Sequence, residues 1–92
     1  MVTSKFIINF AVGNLSLHRN MDFKTLEFVT YCISKLANEL HLSQGDVYRR
    51  LKESGILYDY IVPSYDVLHT FGSRYLMEDL KAYMQEKGVL PR

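Results

Sequence analysis

Apolar residues recur every three or four positions between Phe23 and Leu40, and this spacing constrains the fold more than any other feature of the sequence. The stripe consists of Phe23, Leu26, Val29, Ile33, Leu36, Ala37 and Leu40. Such spacing places side chains on one face of an α-helix, and Asp22 is a suitable N-cap for it. Further apolar positions widen the stripe, namely Phe28, Tyr31 and Cys32. We therefore expect a central helix that is contacted on more than one side.

Shorter helical segments follow this helix and are separated by turn residues. Ser43 with Asp46 resembles a capping box, so a second helix is predicted from Ser43 until Gly55 ends it. Residues 56–62 suit one or two helical turns, and residues 64–70 suit a short helix. A last helix is predicted with Ser73 as its cap and with its end at Gly88. Because the connections are short, we predict an all-α fold, a small compact bundle of about four helices over residues 22–88.

Residues 1–21 form an N-terminal arm with a different pattern. Its apolar residues Phe6, Ile8, Phe10 and Val12 alternate with Ile7, Asn9 and Ala11, which indicates a short strand. Part of the same segment also suits helical spacing, so the assignment stays open. The arm is interpreted either as a loosely attached leader or over-long translation start, or as an extended edge strand that pairs with a second copy or a partner chain.

Composition excludes several classes of protein. The length of 92 residues corresponds to one small domain, and a net charge of +1 argues against general binding of polyanions. The single cysteine, Cys32, cannot form an internal disulfide, which disfavours a small secreted scaffold. No apolar run approaches the ~18 residues that a membrane span requires, and the run 6–12 is poor as a signal peptide. We expect a cytoplasmic protein without membrane contact.

The run from Tyr65 to Thr70 comes closest to a catalytic arrangement. On a helix, the side chain of His69 can meet those of Tyr65 and Asp66. Aspartate orients imidazole beside a nucleophile in hydrolases, but no reactive serine or cysteine is close in sequence. We expect His69 to bond Asp66 or to fix the following turn, with partner contact as an alternative.

Other catalytic or ligand-binding patterns are missing from the sequence. The histidines His18, His41 and His69 are widely spaced and form no metal motif with Cys32. There is no glycine-rich phosphate loop and no pair of carboxylates at catalytic spacing. The sequence predicts no catalytic, metal or cofactor site, and enzymatic activity is not expected.

Seven tyrosines are many for so short a chain. Tyr58, Tyr60 and Tyr65 lie close together around Pro63, and His69 follows them. Tyrosine is favoured at interfaces because its ring fills a pocket while its hydroxyl stays hydrated. We predict a partner-binding surface from Tyr58, Tyr60, Tyr65 and His69; the alternative is an aromatic lid over the core.

The segment from Ser43 to Leu51, which contains Arg49 and Arg50, superficially resembles the first half of a helix-turn-helix motif. A recognition helix should then present basic or amide side chains, but residues 56–61 contain none. DNA binding is therefore possible but not favoured. Arg49 and Arg50 are interpreted as a solvated helix face or, together with Arg74, as partners for acidic groups on another protein.

The run Tyr65 to Gly72, Tyr-Asp-Val-Leu-His-Thr-Phe-Gly, resembles an uncharacterised bacterial family, the domain of unknown function numbered three-seven-nine-one. The likeness covers about residues 22–86 and includes residues 28–33, 42–43, 47–48, 55–57, 60–61, Tyr75, 78–80 and Tyr83. It implies a small intracellular protein encoded beside a predicted toxin related to ADP-ribosyltransferases. The resemblance therefore implies an antitoxin that binds this companion toxin, and it supplies no catalytic residue. The alternatives are a small DNA-binding transcriptional regulator and a structural homodimer joined through the arm.

Overall fold

The computed structural model describes residues 22–91, which form four α-helices and one π-helical segment. Their bounds are α1 Phe23–Leu40, α2 Gln44–Ser54, the π-helical segment Leu57–Ile61, α3 Tyr65–Leu68 and α4 Ser73–Glu86. Helix α1 packs against α2 and α4, and the π-helical segment packs against α2. The predicted all-α bundle is confirmed, and residues 22–91 contain no strand. The predicted extended arm, residues 1–21, lies outside the described residues.

The core takes apolar side chains from every helical element. Leu36, Leu51, Ile61, Leu68 and Leu80 are fully buried, one from each element in chain order. Burial of one such side chain contributes about 1.5–3 kcal/mol relative to its exposure to water. Packing continues past residue 88, the predicted end of the domain, because residues 89 and 90 also contact the core.

Capping groups define where the first two helices begin. The N–H of Thr25 donates to Asp22 Oδ1 over 2.8 Å, and the N–H of Asp46 donates to Ser43 Oγ over 3.0 Å. Both predicted N-caps are therefore confirmed. The prediction for Ser73 is wrong, because Ser73 already belongs to α4 and Gly72 takes the N-cap position without a side-chain cap. Gly72 follows the short turn after α3 and directly precedes α4. Its backbone is extended, with ψ 157°, as is usual for an N-cap residue.

The predicted apolar stripe of α1 is correct from Val29 onward and wrong at its first two positions. Phe23 and Leu26 remain 71% and 50% exposed, whereas Phe28 and Cys32 are buried in the core. The buried line continues from Cys32 to Leu36, one turn further on, and this line faces the neighbouring helices. Helix α1 therefore carries a second apolar group on the side that no described helix covers.

Helix α2 ends at Gly55, where the backbone takes the left-handed conformation with φ 88°. The prediction that glycine ends this helix is confirmed. The positive φ favours glycine here, and a Cβ atom would also lie 3.0 Å from the side-chain oxygen Asp59 Oδ2, which would have to shift. The turn leads directly into the π-helical segment.

None of the helices within residues 22–91 combines the length and the apolar character that crossing a bilayer requires.

Candidate interaction surface

The rings of Tyr65 and His69 stack on the outside of α3. Their centroids lie 4.4 Å apart and their planes differ by 10°. His69 Nδ1 also donates a hydrogen bond of 2.7 Å to the carbonyl oxygen of Tyr65. This bond reaches back to the Tyr65 carbonyl of α3, and not to Asp66 or to the following turn around Thr70 and Gly72. Stacking and hydrogen bonding together hold both rings in one orientation.

Buried Phe28 connects this stack to α1. Its ring meets that of Tyr65 edge-on at 5.5 Å and stacks on Tyr31 at 6.4 Å. Tyr31, Phe28, Tyr65 and His69 therefore form a continuous row across two helices, which we call the aromatic ridge. Tyr31 is 40% exposed and His69 is exposed, while Tyr65 is half-buried. The ridge thus presents three accessible rings that rest on a buried aromatic base.

The sequence prediction missed Tyr31 as a member of this surface. Tyr31 and Tyr65 are distant in sequence. In the fold, the ring of Phe28 lies between them and contacts both. One available signal was that Tyr31 falls beside the line of Phe28 and Cys32, so burial of that line turns Tyr31 toward the solvent.

A shallow groove adjoins the ridge on the outer side of α1. It has a volume of about 420 Å³ and is lined by Phe23, Leu26, Glu27, Thr30 and Tyr31. These positions repeat at helical spacing, so they share one face of α1. We call this feature the outer groove. It shares Tyr31 with the aromatic ridge, so the apolar surface is continuous from α3 to the first turn of α1.

Tyr60, in contrast, belongs to the core and not to the accessible surface predicted for it. It is 1% exposed, and its hydroxyl donates a hydrogen bond of 2.7 Å to Asp79 Oδ2. The Tyr83 ring meets it edge-on at 4.8 Å. Tyr58 is half-buried, and burial together with a hydrogen bond to Tyr48 raises its pKa. The structure therefore brings together only Tyr65 and His69 from the predicted aromatic set.

The three predicted arginines all pair with acidic groups or carbonyls of this chain. Arg49 and Arg50 both contact Asp46 Oδ1, and Arg74 lies 3.5 Å from Glu78. Arg50 also donates to the carbonyl oxygen of residue 89, so it ties the C-terminal segment to α2. The side chains of Arg49 and Arg74 are 57% and 85% exposed. Exposed ion pairs of this kind contribute only about 0–1 kcal/mol, so these two can exchange partners.

Among residues 22–91, no group of three His, Cys, Asp or Glu side chains is placed to hold a metal ion. Burial raises the pKa of the Cys32 thiol to about 12. Cys32 therefore stays protonated at neutral pH, and a thiol in this state is a poor nucleophile.

The family described as "Protein of unknown function (DUF3791)" matches residues 27–87. This range contains the whole aromatic ridge and begins after Phe23 and Leu26. The chain matches no curated protein and no solved structure.

Proposed function

The chain belongs to the DUF3791 family, and on that premise we propose that it is a non-enzymatic protein-interaction module that binds and neutralises a companion ADP-ribosyltransferase-like toxin. The observation that carries the proposal is the aromatic ridge, in which accessible Tyr65 and His69 stack over buried Phe28. The identity of the toxin rests on the resemblance of residues 65–72 to a family encoded beside such enzymes.

The ridge has the physical properties of an interface anchor. Tyrosine contributes a large contact area with few rotatable bonds and is enriched among residues that dominate binding energy. Stacking and the bond from His69 Nδ1 to the Tyr65 carbonyl already restrict both rings before a partner arrives. A surface ordered in advance loses less conformational entropy on binding, which favours affinity.

Charged groups can supplement this anchor. Arg49 and Arg74 are exposed, and each forms a surface ion pair with a residue of its own helix. Guanidinium groups form strong, directional hydrogen bonds with carboxylates. We therefore assign them a supporting role with acidic groups of the toxin. Arg50 has a structural role, since it bonds both Asp46 and the C-terminal segment.

No feature of residues 22–91 favours the DNA-binding alternative. A helix-turn-helix motif needs an exposed recognition helix after its first helix. The segment in that position is π-helical, and Leu57, Tyr60 and Ile61 are buried. The alternative of a homodimer joined through residues 1–21 lies outside the described residues.

Co-expression with the companion enzyme tests the proposal. We expect the wild-type chain to co-purify with the enzyme and to abolish its ADP-ribosyl transfer. The double variant Tyr65→Ala/His69→Ala should lose neutralisation, whereas Tyr75→Ala, which changes an exposed tyrosine outside the ridge, should retain it. Absence of a complex with the wild-type chain would refute the proposal. Full neutralisation by a folded double variant would refute the assignment of the ridge.

A further inference from the structure

We propose that the apolar segment Phe6–Val12 of the same chain covers the outer groove of α1. The proposal goes beyond toxin binding, because it concerns Phe23 and Leu26 and not the Tyr65–His69 stack. The N-terminal arm would then contact its own chain at the outer groove. The aromatic ridge, which adjoins this groove, would remain available to the partner.

The outer groove is an apolar face without a described occupant. Phe23 and Leu26 are 71% and 50% exposed, and they lie on the side of α1 away from buried Phe28 and Cys32. Contiguous exposed apolar side chains mark surfaces that are covered by another group. The connection to Tyr31 extends this face over the first half of the helix.

The chain between the segment and α1 is long enough to return over the groove. Val12 and Asp22 are separated by ten positions in the sequence, and an extended chain of that length reaches about 33 Å. Phe23 and Tyr31 are separated by about 12 Å along the helix axis, because an α-helix rises about 1.5 Å per residue. Gly13 and Asn14 are residues that favour the turn needed for such a return.

The chemistry of the segment matches that of the groove. The segment supplies large apolar side chains, and Lys5 beside it has the opposite charge to Glu27 on the groove. No salt bridge to Glu27 is formed within residues 22–91. Phe23 and Leu26, the two most apolar residues of the groove, precede the family match at residue 27, as does the segment, whereas Glu27, Thr30 and Tyr31 lie within it.

The short connection favours the chain's own segment over a second copy. A segment joined through a short flexible linker has an effective concentration in the millimolar range. At micromolar protein concentrations, a second molecule supplies its segment at about one-thousandth of that level. An intramolecular contact therefore outcompetes the same contact made between two chains.

Nuclear Overhauser spectroscopy on the full-length chain tests this inference. We expect contacts from the ring of Phe6 or Phe10 to the methyl groups of Leu26 in a uniformly labelled sample. A mixture of labelled and unlabelled chains should show no such contacts between molecules. The variant Ile8→Asp keeps both rings and should lose the contacts, while Asn9→Asp, which adds the same single charge at the next position, should retain them.

Two results would overturn the inference. Absence of contacts between the segment and Leu26 in the wild-type chain would show that the segment does not cover the groove. Contacts that arise only between labelled and unlabelled chains would show that a second copy is the occupant. The experiment contains no toxin, so its outcome is independent of whether the chain is an antitoxin.

Discussion

The hydroxyl of Tyr60 donates a hydrogen bond of 2.7 Å to the carboxylate of Asp79 inside the core. The two residues are 1% and 7% exposed, and they join the π-helical segment to α4. A buried carboxylate is costly unless donors compensate for the loss of water. This contact gives Tyr60 a structural role inside the core.

Removal of the Tyr60 hydroxyl should destabilise the protein. We expect Tyr60→Phe to lower the free energy of unfolding by about 1–3 kcal/mol, because Asp79 loses a buried donor. The control Tyr31→Phe removes an exposed hydroxyl and should change it by less than about 0.5 kcal/mol. Urea denaturation measures both. Equal stability of the two variants would show that the Tyr60–Asp79 bond is not a significant support of the fold.

Alanine substitution should lower the stability of the protein at Ser43 but not at Ser64. Ser64 Oγ is buried and has no hydrogen-bond partner among the described residues, so Ser64→Ala should leave the stability unchanged or raise it by up to about 1 kcal/mol. Ser43 Oγ caps α2, so Ser43→Ala should lower the stability by about 1 kcal/mol. Thermal unfolding compares the two. A loss of stability in Ser64→Ala would contradict the burial of an unsatisfied hydroxyl.

Alanine substitution should have different effects at Gly45, in the first turn of α2, and at Gly55, which ends that helix. Gly55→Ala should lower the free energy of unfolding by about 1 kcal/mol or more, because φ is 88° and the new Cβ would meet the Asp59 carboxylate. Gly45→Ala lies in the first turn of the helix with free space around it, and alanine is the better helix former there. We expect that variant to be at least as stable as the wild type in guanidinium titrations. The reverse order of stabilities would contradict the left-handed turn at Gly55.

The Cys32 thiol should react only when the protein unfolds. Burial raises its pKa from 9.0 to about 12, so the reactive thiolate forms first in the unfolded chain. Between these two values the unfolded state binds fewer protons than the folded state. The free energy of unfolding therefore falls as the pH rises from about 9 to about 12. Iodoacetamide labelling at pH 9 should be far slower for the native protein than in urea. Equal labelling rates would contradict the burial of Cys32.

Local sequence signals predicted the ends of the helices better than the orientation of their faces. Asp22, Ser43 and Gly55 act through hydrogen bonds or backbone conformation within a few residues, so their types identify their roles. The faces of α1 depend on distant helices. Two apolar sets compete there, and only packing decides that Phe28 is buried and Phe23 is not.

The predicted aromatic set divides because residues two apart in a helical segment point to nearly opposite sides. Tyr60 faces the core, while Tyr58 stays partly exposed. Both lie in the π-helical segment, where the N–H of Val62 donates to the Leu57 carbonyl over 3.0 Å. The sequence prediction grouped these tyrosines by their closeness in sequence and did not assign them to faces. The pairing of Tyr65 with His69 was predictable, because both lie within one turn of α3.

Isothermal titration calorimetry with the purified companion enzyme tests the central claim most directly. The account predicts measurable binding of the wild-type chain and a loss of at least about 30-fold in affinity for Tyr65→Ala/His69→Ala, the magnitude typical of interface anchors. Tyr75→Ala should bind like the wild type, and circular dichroism should confirm that both variants keep their helices. Wild-type affinity in the folded double variant would contradict the account.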